Sequence, residues 1–174
     1  MADLALLLPV VRAAVERHGL DVEVLACDPD LADTAAFCTH YGYAMQDAAN
    51  TIVVTSKKVD PPLRAVCVVL ATTRLDVNRT VRERLGVRRA SFADAEATAE
   101  ITGMLVGGVT APGIESLPLW IDRGVLDRTR IVMGGGNRSS KLVLDPRELL
   151  GLPGAEVVDG LATDAGAAGA AVVD

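Results

Sequence analysis

Residues 103–114, GMLVGGVTAPGI, hold four glycines and a proline but no acid, base or thiol. The chemistry open to such a segment belongs to its backbone. Glycine lets successive N–H groups turn into one concavity, where they can hold a carbonyl oxygen or a developing oxyanion. The plainer reading of the same spacing is a tight turn between a helix and a strand. A second cluster, Gly134-Gly-Gly-Asn-Arg-Ser-Ser-Lys141, invites a phosphate. Neither cluster carries the Gly-Lys-Ser/Thr of a Walker loop. Gly134-x-Gly136-x-x-Ser139 lacks the last glycine of the dinucleotide fingerprint. It also leads toward a strand, not toward the helix N-terminus that would hold a pyrophosphate. Both observations disfavour a nucleotide cofactor.

Side-chain chemistry is sparse elsewhere. There is no GxSxG elbow, and no pair of carboxylates is spaced for acid–base work. Asp122, at the end of a strand-like run, reads as a turn or cap former. His18 and His40 are far apart. Cys27, Cys38 and Cys67 form no CxxC pair and are odd in number, which excludes a disulfide framework or zinc site and points to core thiols in a reducing, intracellular setting. No metal is expected.

These residues need elements to position them. Residues 3–18 show helical spacing and stop at Gly19, and 33–42 reads as a second helix capped by Asp33. VEVLAC (22–27) reads as a short strand. TIVVTS (51–56) and RAVCVVLA (64–71) are β-branched runs around a Lys-Lys-Val-Asp-Pro-Pro turn, which predicts a hairpin. Helices are predicted over 76–86 and 91–103, the latter starting at Ser91 or Asp94. Strands follow at 117–122, 129–134 and 141–145, then a short helix from Asp145-Pro. The fold class expected is mixed α+β.

The 174 residues fit one domain, with a core over about 22–160 and an Ala/Gly-rich tail over 161–174, where AVVD could add an edge strand. The interior is aliphatic, with 50% hydrophobic residues and only 3% aromatic. No run approaches the length of a membrane span, and the N-terminus lacks a basic signal flank, so a cytoplasmic protein is expected. A net charge of −6 argues against a general nucleic-acid coat, DNA included. One local exception stands out. Arg74, Arg79, Arg82, Arg84, Arg88 and Arg89 crowd into a stretch whose only acids are Asp76 and Glu83, a solvated face or a phosphate-contacting patch.

Ile101-Thr-Gly-Met-Leu-Val-Gly-Gly-Val-Thr110, then Pro112-Gly113 and Leu117-Pro-Leu-Trp-Ile-Asp122, resembles the central block of the YbaK, or prolyl-tRNA synthetase associated domain, family. Its pattern there is TGYxxGG(V/I)SP followed by LPxxxD. Gly134-Gly-Gly-Asn-Arg138 with Lys141–Leu144 resembles the family's GGxR turn and next strand. Leu75-Asp76 and Leu85-Gly86 resemble its LDxxK…LG region. The likeness runs from about residue 30 to residue 160. It implies a mostly antiparallel, β-barrel-like sheet flanked by helices, and a trans-editing deacylase that hydrolyses the ester of a mischarged aminoacyl-tRNA carrying a small amino acid of the Cys, Ala or Ser type. No organic cofactor is implied. The implied partners are the acceptor end of aminoacyl-tRNA and an aminoacyl-tRNA synthetase, with the chain a monomer or homodimer.

Carried over residue by residue, the resemblance implies that backbone N–H groups of Gly107, Gly108, Val109 and Thr110 hold the aminoacyl carbonyl. It implies substrate contacts from Pro112, Asp122, Gly135, Gly136 and Arg138, and tRNA phosphate contacts from Arg79, Arg82 and Arg88. Two departures stand out. The proline falls one step late, with Ala111 in its usual place. The family's functional lysine aligns with Asn50, while a family aspartate aligns with Lys141. Lys141 is therefore expected to replace the missing cation, with Asn50 keeping a neutral hydrogen bond. The competing expectation, resting on Asn50, is a non-catalytic module that binds tRNA, a synthetase or a small amino-acid ligand.

Overall fold

The computed structural model describes residues 2–165. Leu4–Leu6 form one 3-10 turn, and α1 spans Pro9–His18. The sequence predicts one helix over 3–18. Proline cannot sit inside a helix but suits its first position, so the chain breaks at Leu8 and restarts at Pro9. The other elements are β1 (Val22–Ala26), α2 (Thr34–Tyr41), β2 (Ala49–Ser56), β3 (Arg64–Leu70) and β4 (Thr73–Leu75). A π-type turn over Val77–Val81 leads into α3 (Arg82–Leu85), followed by β5 (Ala90–Phe92) and α4 (Ala95–Thr102). The chain continues through β6 (Leu119–Asp122), α5 (Arg123–Leu126), β7 (Ile131–Gly134), β8 (Ser140–Leu144), β9 (Ala155–Val158) and β10 (Ala162–Asp164). The expected AVVD strand lies outside the described residues.

Three sheets result, ordered β1-β8-β7, β10-β4 and β5-β2-β3-β6-β9. Pairing is mostly antiparallel, as expected, with β3-β6-β9 parallel. The sheets do not close into a barrel. One parallel bridge, Ala48 to Val132, links the three- and five-stranded sheets.

β3 is buried on both faces, and its alternation feeds two cores. Val66, Val68 and Leu70 pack with α1 through Val11 and Val15. Ala65, Cys67 and Val69 pack with Val81 and Leu85 beneath α3. Phe37 and Cys38 of α2 close a third cluster over Ala48, Ala71 and Val132. All three cysteines are buried free thiols.

Segment 91–103 divides differently from the helix predicted for it. Asp94 caps α4, accepting from the Ala97 amide at 2.7 Å, while Ala90–Phe92 pair with the end of β2. Gly103 then ends α4 at φ +70°, a conformation glycine adopts without strain. The glycine loop starts there.

Candidate active site

The two glycine clusters pack against each other, backbone on backbone. The Gly136 amide donates to the Gly108 carbonyl at 2.7 Å, and the Leu105 amide donates to the Gly136 carbonyl at 3.1 Å. A Cβ on Gly108 would overlap the Asn137 carbonyl, and one on Gly134 would overlap the Gly108 carbonyl. The Gly135 carbonyl accepts from the Leu8 amide at 3.1 Å, which ties the turn to the start of α1. Gly135 and Gly136, expected at the substrate, thus hold up the loop and do not line the cavity beside it.

That cavity has a volume of about 160 Å³. It lies between the start of α2, the first half of β2, the glycine loop, and β7 with β8. Asn50, Gly107, Val109 and Lys141 line it together, with Asp33, Thr34 and Phe37. Ala48, Ala49, Ala71 and Ala93 make much of the remaining wall.

Lys141 is 5% exposed, on a strand buried along its length. Its ammonium donates to the Ala32 carbonyl at 2.6 Å and the Gly107 carbonyl at 3.3 Å, and sits 5.3 Å from the centre of the Phe37 ring. Burial holds its pKa below the ordinary lysine value, and nearby Arg138 pushes the same way. An ammonium has three donors, so one remains after the two carbonyls.

The amides of the loop are not equivalent. Gly108 donates to the Leu105 carbonyl at 2.8 Å, and Thr110 donates to Met104 Sδ at 3.4 Å. Both are taken up by the turn, and neither residue lines the cavity. The amides of Gly107 and Val109 have no acceptor among the described residues. Of the four amides expected to form a cradle, two are left unpaired among the described residues.

Asn50 Oδ1 accepts from the Thr34 hydroxyl at 2.8 Å, which leaves the amide NH₂ as the donor still available. Thr34 and Asp33 begin α2, and Asp33 occupies the N-cap without capping it. A capping side chain stabilises a helix by about 1 kcal/mol, and Asp33, bonded instead to Arg138, forgoes that gain. Thr34 and Phe37 carry no sequence signal of their own, and Asp33 carries only that of a helix cap, a role its side chain does not take. The Thr51 hydroxyl, also in the wall, is buried with no hydrogen-bond partner among the described residues.

Other expected contacts lie elsewhere. Arg138 donates to the Pro29 carbonyl at 3.1 Å, the Val106 carbonyl at 3.0 Å and Asp33 Oδ1 at 3.2 Å, stapling the loop to the approach of α2. Asp122 accepts from the Gly124 amide at 3.1 Å and the Ala162 amide at 3.0 Å, the cap role its strand-end position suggests. Pro112 is buried outside the cavity wall. Arg79, Arg82 and Arg88 are exposed and without a carboxylate partner among the described residues.

Residues 28–152 match the family model of the aminoacyl-tRNA editing domain. This chain belongs to that family. The editing domain also resembles several solved structures. One is the hypothetical protein APE2540, at 25% identity and TM-score 0.78, covering 88% of this chain and 99% of that one. A proposed trans-editing enzyme for prolyl tRNA synthetase aligns at 24% identity and TM-score 0.73, covering 88% and 97%. A scaffold from computational epitope grafting aligns at 24% and 0.74, covering 91% and 97%. At such identities the last two establish the fold alone. No helix among the described residues is long and apolar enough to cross a membrane.

Proposed function

We propose that this editing domain hydrolyses the ester of a mischarged aminoacyl-tRNA whose amino acid is small. The observation that carries the reading is the cavity whose wall unites Lys141, Asn50, Gly107 and Val109, the last two with amides unpaired among the described residues. Its volume of about 160 Å³ is on the scale of cavities that admit one benzene-sized group. The ester, its α-ammonium and a short side chain fill that space together, which leaves no room for a long one.

An ester is already activated, so positioning and oxyanion stabilisation suffice. Among the described residues the cavity wall holds no cysteine, serine or histidine, and its hydroxyls belong to Thr34, Thr51 and Thr98; water is taken as the nucleophile. Water adds to the ester carbonyl, and the oxygen that gains charge is held by the free amides and the third Lys141 donor. The carbon–oxygen bond to the terminal ribose then breaks, and a proton from the attacking water ends on the ribose oxygen. Free amino acid and uncharged tRNA leave. Asn50 orients the substrate by hydrogen bond, without charge.

The tRNA body is proposed to follow the cationic stretch. Among the described residues every arginine outside 57–89 is ion-paired, whereas inside that stretch only Arg84 is, on Glu156. Arg79, Arg82 and Arg88 are the contacts proposed for phosphate. Asn50, one residue into β2, and Ser56 at its end are about 20 Å apart at the usual strand rise, and Ser56 pairs with Ala90 just beyond Arg88 and Arg89.

A deacylation panel with Ala-, Ser-, Cys-, Thr- and Leu-charged tRNA tests the reading. Hydrolysis of the small esters above the buffer rate is expected, with Leu-tRNA spared. Binding of charged tRNA without hydrolysis of any ester would favour the non-catalytic module that Asn50 leaves in contention.

A further inference from the structure

Among the described residues, Asp33 is the only carboxylate in the cavity wall, and Lys141 is the one basic side chain there. Its placement is not explained by the helix it begins, because it makes no cap hydrogen bond. Only Oδ1 is engaged, by Arg138 at 3.2 Å, and the side chain remains 57% exposed. The second oxygen, Oδ2, has no partner among the described residues. The site thus has a cation deep in the wall and an anion with a free oxygen at the start of α2.

An aminoacyl ester has matching polarity. Its carbonyl oxygen gains negative charge during hydrolysis, and one carbon away stands the α-ammonium. Bringing that ammonium near Lys141 and Arg138 without a counter-charge would oppose binding. We propose that Asp33 is the receptor for the α-ammonium, which makes a free α-amine a requirement of the substrate. The inference rests on the editing reading and adds a selectivity that cavity size does not supply. Esters whose amine is acylated, as on a peptidyl-tRNA, are rejected for lacking the charge. Pairing with Asp33 also keeps the amine protonated, so the neighbouring ester carbon stays electron-poor.

The test sets Ala-tRNA beside N-acetyl-Ala-tRNA for wild type, Asp33→Asn and Asp33→Glu. Wild type is expected to favour the free amine by about tenfold or more, the scale of one charge-assisted hydrogen bond. Asp33→Asn should raise KM for Ala-tRNA about tenfold with little change in kcat, leave the N-acetyl ester unaffected, and be partly rescued by glutamate. Equal rates for both esters in wild type would overturn the proposal. So would an equal loss on both esters in Asp33→Asn, which would make Asp33 only a brace for Arg138. Should neither ester be hydrolysed, the editing reading fails separately. Calorimetry with 3′-alanylamido-3′-deoxyadenosine and its N-acetyl form then decides. Tighter binding of the free amine that is lost in Asp33→Asn supports the receptor, and indifference to either change refutes it.

Discussion

Lys141 donates to the carbonyl of Gly107 at 3.3 Å, while the amide of the same glycine is left without an acceptor among the described residues. One glycine of the cavity wall thus anchors the buried cation through its carbonyl and keeps an unpaired donor, which the proposed mechanism assigns to the substrate. Substituting Lys141 by methionine keeps the bulk and removes the charge. Deacylation should fall about 100-fold, the usual cost of one oxyanion donor, whereas thermal stability should change little because a buried charge is lost with its desolvation penalty.

The same residue sets a pH dependence. Its folded pKa lies below the ordinary 10.5, so between the two values the unfolded chain binds more protons than the folded one. Stability contributed by this group therefore rises with pH through that window. Urea titrations from pH 7 to 10 should show the rise in wild type and not in Lys141→Met. Activity should move the opposite way, declining as the ammonium deprotonates.

Gly108→Ala should disturb the fold and the site together. A Cβ there meets the Asn137 carbonyl, which belongs to backbone and cannot swing aside. A cost of about 2–3 kcal/mol, or a melting temperature lower by roughly 5–10 °C, is expected, with activity reduced in the fraction that remains folded. Calorimetry beside the deacylation assay checks both.

Phosphate contacts should register in the salt dependence of tRNA binding. Replacing Arg79, Arg82 or Arg88 by glutamine should weaken binding to charged and uncharged tRNA alike and reduce the log–log salt slope by about one each. Lys141→Met should leave that slope unchanged.

Pocket size can be altered from the wall. Val53 is buried and lines the cavity. Val53→Ala should narrow the preference for alanine over larger aliphatic esters by about tenfold, on the scale of one or two methylenes. Relative kcat/KM for Ala- and Leu-tRNA measures it.

The parts of the fold legible in the sequence are those fixed by local chemistry. The β2–β3 hairpin follows from two β-branched runs around a Pro-Pro turn, and α4 ends where Gly103 permits a left-handed residue. The edge strand Ala90–Phe92 is too short to show a period, and its pairing with β2 decides it. The cavity is legible only in part. Lys141 and Ala32 are 109 residues apart in sequence, and no local pattern reports that their atoms meet. Likewise Gly108 and Gly136 read as candidate ligand-binding glycines, but their lack of side chains lets two backbones touch. Composition cannot distinguish those uses, because each needs the same missing Cβ.

The most direct measurement is single-turnover hydrolysis of Ala-tRNA by wild type beside Lys141→Met, with both shown to be folded. The expected result is a wild-type rate well above buffer and a variant rate reduced about 100-fold. A wild-type rate equal to buffer, or a variant as fast as wild type, would contradict the assignment of this cavity as a deacylase site.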